Sequence, residues 1–132
     1  MKKLCWGVIG AGGIADRRTI PGMMLAQNAE LIAVMEINAE LAEHLRAKWN
    51  AKRAYTSTDA LLSDPEIDAV YIASPVVLHA EQAMAAADAG KHILLEKPLA
   101  MTSEEGWKVI EYCNSKNVRI AAGFMMRFGS HV

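Results

Sequence analysis

Leu4-Cys5-Trp6-Gly7-Val8-Ile9-Gly10-Ala11-Gly12-Gly13-Ile14-Ala15 stands at the start of the chain. An apolar run of strand length gives way to glycine at 10, glycine at 12 and a small residue at 15. That is the G-x-G-x-x-G/A spacing of the turn from a strand into a dinucleotide-binding helix. Each small residue has its own reason. Gly10 permits the tight turn, Gly12 lets the backbone approach a pyrophosphate, and Ala15 lets the first helix settle against the strand. The N–H groups at the helix start, Gly13 and Ile14 among them, then meet the phosphates together with the positive end of the helix dipole. Six letters alone also match turns that bind nothing, so the context has to decide.

Outward from that turn, elements alternate. A helix is expected from about Gly13 to Gln27, interrupted near Pro21-Gly22, where a proline ring should break the ladder. Glu30–Glu36 reads as a short strand ending in an acid. Asn38 looks like the N-cap of a helix with Leu41, Leu45 and Trp49 at helical spacing. A weak strand at 53–56, a short helix at 58–63 and the turn Asp64-Pro65 follow. The second half repeats the scheme. A strand spans 68–74, with Ser74 as N-cap and Pro75 at the first helical position. An alanine-rich helix closes at Gly90, and the next strand runs from Lys91 to Glu96. Thr102-Ser-Glu-Glu105 forms a capping box for a helix with Trp107, Ile110 and Cys113 on its buried face. Val118–Phe124 makes a final strand. About six apolar strands separated by helices imply an α/β fold: a Rossmann-type, doubly wound parallel sheet in the order 3-2-1-4-5-6, with helices on both faces.

Bulk properties narrow the function classes. The 132 residues suit one domain, and a formal net charge of −1 argues against a nucleic-acid partner. No apolar stretch approaches the roughly 20 residues that cross a bilayer, and no signal peptide precedes the first strand. Cys5 and Cys113 lack metal-ligand spacing, and two thiols kept apart suit a reducing cytoplasm. No metal site is expected. His44 and His92 read as structural.

Glu36 lies 26 positions after Gly10, at the end of the second strand. A carboxylate there accepts hydrogen bonds from the adenosine ribose hydroxyls and repels a 2′-phosphate. Neither Ile37 nor Asn38 is basic. The expected cofactor is therefore NAD rather than NADP.

Glu96-Lys97-Pro98, taken with Ile72-Ala-Ser-Pro-Val-Val-Leu-His79, Gly90-Lys-His92 and Gly123-Phe-Met-Met-Arg-Phe128, resembles the Gfo/Idh/MocA family of oxidoreductases over essentially the whole chain. That resemblance implies hydride transfer between a nicotinamide cofactor and a CH–OH group of a sugar, polyol or related compound. It implies a catalytic role for Lys97 beside the reacting oxygen and a supporting one for Glu96, both also near the cofactor, with the Lys97–Pro98 bond often cis. It places Ser74, Pro75, His79 and Arg127 at the cofactor cleft. Val76 stands where the family usually has asparagine, which removes a polar contact from that corner.

The same resemblance divides the chain into a NAD-binding domain at 1–124 and, at 125–132, the start of a connection to an α+β substrate domain that this sequence does not contain. Homo-oligomers are implied for the family, and an apolar patch at Met125, Met126 and Phe128 is expected to favour weak self-association. His131 cannot be matched to the histidine of the second domain. Two functions follow. The parent protein is an NAD-dependent dehydrogenase, or this chain is a dinucleotide-binding module without catalysis, the state expected of the isolated polypeptide. An S-adenosylmethionine-dependent methyltransferase, which also uses a glycine turn and an acid after the second strand, is the more distant rival.

Overall fold

In the computed structural model of the chain, which describes residues 3–122, six strands alternate with helices as the apolar pattern requires. β1 (Leu4–Ile9) leads through a π-helical segment (Ala11–Thr19) directly into α1 (Ile20–Leu25). β2 (Ala29–Met35), α2 (Ala39–Trp49), β3 (Arg53–Tyr55) and α3 (Thr58–Leu62) complete the first half. The second half holds β4 (Ala69–Ile72), a single 3₁₀ turn (Val76–Leu78), α4 (His79–Asp88), β5 (His92–Leu95), α5 (Ser103–Ser115) and β6 (Ile120–Ala122). The strands pair in the order β3-β2-β1-β4-β5-β6 and every pair is parallel, the topology expected from sequence. The chain reverses its direction of travel across the sheet between β1 and β4, which opens a crevice beyond their C-terminal ends.

Strand residues alternate between two cores, because successive side chains leave opposite faces. Val8, Leu31, Val34, Tyr71 and Leu94 pack beneath Ala11, Ala15, Ile20, Met23 and Leu45, on the face of the glycine-turn helix and α2. Ile9, Ile32, Val70, Ile72, Ile93 and Leu95 pack on the other face with Leu61, Ala83, Ala86, Val109 and Cys113 from α3, α4 and α5. The alanine side of α4 lets that helix lie close to the sheet. Asp16 joins the first helical segment to α2, accepting from Trp49 Nε1 at 2.7 Å and Lys48 Nζ at 3.1 Å. Partial burial pushes the Asp16 carboxyl up, but those two bonds win and hold it below the usual range.

Helix termini follow their sequence signals in three places. Asn38 accepts from Leu41 N at 3.0 Å, and Thr102 accepts from Glu105 N at 3.1 Å. The Glu105 carboxylate reaches back to Met101 N at 2.9 Å, one residue earlier than the capping box predicts. Gly90, at φ +75, sits just beyond the end of α4 in the left-handed conformation that closes helices.

Four expectations are corrected. The first helix does not break at Pro21-Gly22; its kink is at Gly13 (φ −105, ψ −121). Pro21 is tolerated because it falls where the π-type ladder ends: Ile20 N donates to Ala15 O, and the next residue needs no donor. Ser74 is not an N-cap and Pro75 is not helical (φ −56, ψ 144); the 3₁₀ turn intervenes, so α4 begins at His79. Trp107 is 66% exposed, and the buried face of α5 is Gly106, Val109 and Cys113. Leu41 on α2 is likewise exposed, with Ala42 and Leu45 facing the sheet. Arg127, the Met125–Met126–Phe128 patch, His131 and the end of the last predicted strand lie outside the described residues. Among the described residues no helix is long and apolar enough to cross a membrane, and Cys5 and Cys113 are not joined by a disulfide.

Candidate functional site

The glycine turn is built by backbone. Gly10 leaves β1 at φ +79, and its N–H donates to Met35 O at 3.1 Å. Beside it Ala73 N donates to Ile9 O at 2.9 Å, which draws the β4–α4 loop against the turn. The contact is so close that a Cβ on Gly10 would lie 2.8 Å from Ser74 N. Between the turn, the end of β2 and this loop runs a cleft of about 220 Å³, edged by Gly10, Gly13, Glu36, Ala73, Ser74 and Leu78. At Gly13 an added Cβ would meet nothing within 4 Å, so its backbone borders open space.

Glu36 sits at the mouth of the cleft. Its backbone N–H donates to Tyr55 O at 3.1 Å, anchoring it to β3, and its Oε2 accepts from Gly12 N at 2.6 Å. A side chain at Gly12 would crowd that carboxylate: a Cβ there would be 3.0 Å from Glu36 Oε2 and 3.0 Å from Leu41 Cδ2. Ile37 beside it is exposed, and the Asn38 side chain is committed to capping α2. Ile14 is half-buried and Ala15 fully buried against the sheet.

The opposite wall, which includes Ser74, Pro75 and Gln82, is tied together by its own side chains. The Ser74 hydroxyl donates to Gln82 Oε1, and Gln82 Nε2 donates to Thr58 Oγ1 at 3.3 Å. His79, only 2% exposed, has both ring nitrogens taken: Nε2 lies 2.7 Å from Ser74 O and Nδ1 2.8 Å from Pro98 O. A neutral imidazole donates to only one of two carbonyls. His79 thus ties the loop after β4 to the loop after β5 and turns no ring nitrogen toward the cleft. Pro75 is exposed beside them.

Glu96, Lys97 and Pro98 leave β5 at the same edge. Glu96 N donates to Ile72 O at 2.9 Å, Lys97 is exposed, and the Lys97–Pro98 bond is cis. The Glu96 side chain is held from within the sheet. Leu94 points to the face of the glycine-turn helix, Leu95 to the other, and Glu96 back again, where Oε1 accepts from the Tyr71 hydroxyl. Tyr71 is fully buried, with the Thr19 side chain near its hydroxyl; burial first, and then the Glu96 carboxylate, push its phenol well above the ordinary value.

Gly10, Gly12, Gly13, Glu36 and Ser74 are therefore gathered at one cleft, with Glu96 and Lys97 on the neighbouring strand end. Arg127 lies outside the described residues. Sequence reasoning missed Gln82, Tyr71 and Thr19. Tyr71 carried a signal, since a tyrosine inside a fully apolar strand needs a partner for its hydroxyl. Among the described residues no group of three or more His, Cys, Asp or Glu could hold a metal ion.

Comparison with known proteins assigns this arrangement. The Gfo/Idh/MocA family model, an oxidoreductase family with an NAD-binding Rossmann fold, matches residues 4–124. D-xylose 1-dehydrogenase (NADP(+)) 2 of Haloferax volcanii is 36% identical across 95% of this chain and 38% of its own length. The 3-ketoreductase KijD10 of Actinomadura kijaniata, solved with NADP and TDP-benzene, superposes with a TM-score of 0.89 at 30% identity, over 94% of this chain and 38% of its own. The WlbA dehydrogenase of Bordetella pertussis, solved with NADH and UDP-GlcNAcA, gives 0.85 at 30% identity, over 92% and 37%. The chain thus spans well under half the length of the relatives it matches, and those relatives divide between NADP and NADH. A methyltransferase reading keeps no support. By its glycine turn, its sheet order and the matched 121 residues from 4 to 124, the chain belongs to the Gfo/Idh/MocA oxidoreductase family and is an NAD(P)-binding Rossmann domain of that family.

Proposed function

We propose that this chain is the cofactor-binding domain of an NAD-dependent dehydrogenase or reductase acting on a CH–OH group, or the matching carbonyl, of a sugar or polyol. The observation that carries the cofactor choice is the Glu36 carboxylate, held 2.6 Å from Gly12 N at the mouth of the cleft. In that position a carboxylate accepts from ribose hydroxyls, and its charge opposes a 2′-phosphate. The phosphates would lie along Gly10, Gly12, Gly13, Ile14 and Ala15, with Ser74 and Pro75 on the other side of the cofactor. Arg127 would approach the same cleft. When bound, the nicotinamide supplies or accepts the hydride.

The chain's own contribution to chemistry is at Glu96 and Lys97. An exposed ammonium at Lys97 Nζ would donate to the reacting oxygen and favour alkoxide character as hydride leaves. Glu96 would set the orientation of that edge. Domain limits of 1–124, with a substrate domain connected through 125–132, complete the proposal. The 132-residue chain alone is expected to bind cofactor without turning over substrate. A reducing compartment, the cytoplasm, fits its two unjoined cysteines.

Calorimetric titration of the chain with NADH and NADPH tests the cofactor choice. NADH should bind about tenfold or more tightly, and Glu36→Ala should narrow the gap. Equal affinities, or tighter NADPH, would overturn it.

A further inference from the structure

We propose that Tyr71 is a positioning residue of the cofactor site, its hydroxyl holding Glu96 toward the glycine-turn face and so ordering the nicotinamide half of the cofactor. The inference rests on the reading of Glu96 and Lys97 as the nicotinamide end. It starts from a polar chain where the core needs none. Tyr71 lies in the middle of β4, fully buried among Val8, Ala15 and Ile20. A phenylalanine would fill the same space without the desolvation of a hydroxyl. The hydroxyl is nonetheless paired: it donates to Glu96 Oε1, and the Thr19 side chain lies near it.

Glu96 and the neighbouring Thr19 belong to the two segments that flank the cofactor cleft. Thr19 is the last residue of the π-helical segment that begins at the glycine turn. π-Helical turns shift side-chain register relative to an α-helix and are enriched at functional sites. Glu96 opens the Glu-Lys-Pro turn, and the neighbouring Lys97 is otherwise an exposed residue on a loop. One phenol therefore fixes the first residue of that turn relative to the helix after the glycines. The adenosine half would depend on another group, Glu36, which follows β2, three strands from β5 in the pairing order.

The test separates the two halves of the ligand. The chain and its Tyr71→Phe variant are titrated with NADH and with ADP-ribose, which lacks the nicotinamide. The wild-type chain should prefer NADH. Tyr71→Phe should weaken NADH about tenfold and leave ADP-ribose within about twofold, as expected for loss of a bond to a charged group. The emission of bound NADH should move toward that of the free form. Thr19→Val, which keeps the side-chain shape, should act in the same direction with a loss of about threefold. Equal weakening of both ligands would make Tyr71 merely structural, and no change in either would make the hydroxyl idle; each result overturns the inference alone. A wild-type chain that binds neither ligand would overturn the cofactor reading and the inference with it.

Discussion

A Cβ on Gly10 would lie 2.8 Å from Ser74 N and 2.9 Å from Ser74 Cα. The glycine that makes the turn after β1 is thus also the surface on which the β4–α4 loop rests. Two demands meet at one position, since φ at Gly10 is +79 as well. The contact brings the carbonyl side of Ser74, and through it His79, up to the edge of the cleft.

Gly10→Ala should therefore fail on both counts. The left-handed backbone alone costs about 1–2 kcal/mol, and the backbone contact with Ser74 adds to it because neither partner is a flexible side chain. Urea unfolding should show a loss at least that large, and NADH affinity should fall with it. An alanine variant as stable as wild type would show that the two loops can separate freely.

Gly12→Ala makes a different demand. The new Cβ would stand 3.0 Å from Glu36 Oε2 and Leu41 Cδ2, both ends of side chains that can move. Stability should change by less than about 1 kcal/mol, whereas the carboxylate must give by a few tenths of an ångström and its bond to the Gly12 N–H is disturbed. NADH affinity should fall about tenfold and the preference over NADPH should shrink. Unchanged selectivity would separate Glu36 from cofactor choice.

The legibility of these features in sequence follows from their range. Gly10, Gly12 and Ala15 are a local pattern, and the alternation of strands with helices fixed the order of the sheet. Asn38 and Thr102 were readable because a cap bonds within three residues. What stayed hidden depends on pairing between distant segments. The Ser74 hydroxyl is taken by Gln82, a partner chosen by the register of α4 after a 3₁₀ turn that proline at 75 did not advertise. Pro21 misled because its usual penalty assumes an α-helical ladder, and the ladder here is wider. The phenol of Tyr71 meets Glu96 only because β4 and β5 are neighbours in register.

Trp107 and Val109 expose the same limit and supply a test. Periodicity through Trp107, Ile110 and Cys113 selects one face of α5, but the sheet is met by Gly106, Val109 and Cys113. Glycine at 106 carries no side chain, so helical spacing of large apolar residues overlooks it. Val109→Ala should cost about 1.5–2.5 kcal/mol, two buried methyl groups and a residual cavity. Trp107→Ala should stay within about 0.5 kcal/mol despite the larger truncation. Thermal denaturation in which the tryptophan variant is the weaker of the two would return Trp107 to the core.

His79 links the two loops at the C-terminal edge through both ring nitrogens. A neutral imidazole donates to one of the two carbonyls, a bond that glutamine at 79 can keep and phenylalanine cannot. Wild type and His79→Gln should lie within about 1 kcal/mol of each other and His79→Phe below both, by about 1–3 kcal/mol for the carbonyl that loses its donor. Measured by urea unfolding, a phenylalanine variant equal to wild type would mean that the imidazole's hydrogen bond contributes nothing.

Asp64 governs the acid limit of the fold. It is 5% exposed, between α3 and β4, and accepts from Arg53 Nε at 2.7 Å, Glu66 N at 2.9 Å and the Tyr55 hydroxyl at 2.8 Å. Burial pushes its carboxyl up, but these donors together outweigh it and hold the group below the usual range, while the same carboxylate raises Arg53. A carboxyl depressed in the folded state binds fewer protons there than in the unfolded chain. Its contribution is therefore complete above the unfolded value, near 3.9, and is lost as pH falls through the lower folded value. Asp64→Asn removes the charge while keeping the shape, and should cost about 2–3 kcal/mol near neutrality. Urea unfolding repeated from pH 7 down to pH 2 should find the gap between variant and wild type constant to about pH 4 and closing below it. A gap that persists unchanged at the acid end would assign the stability of this corner to Arg53 and Tyr55 packing instead of to the ionised Asp64.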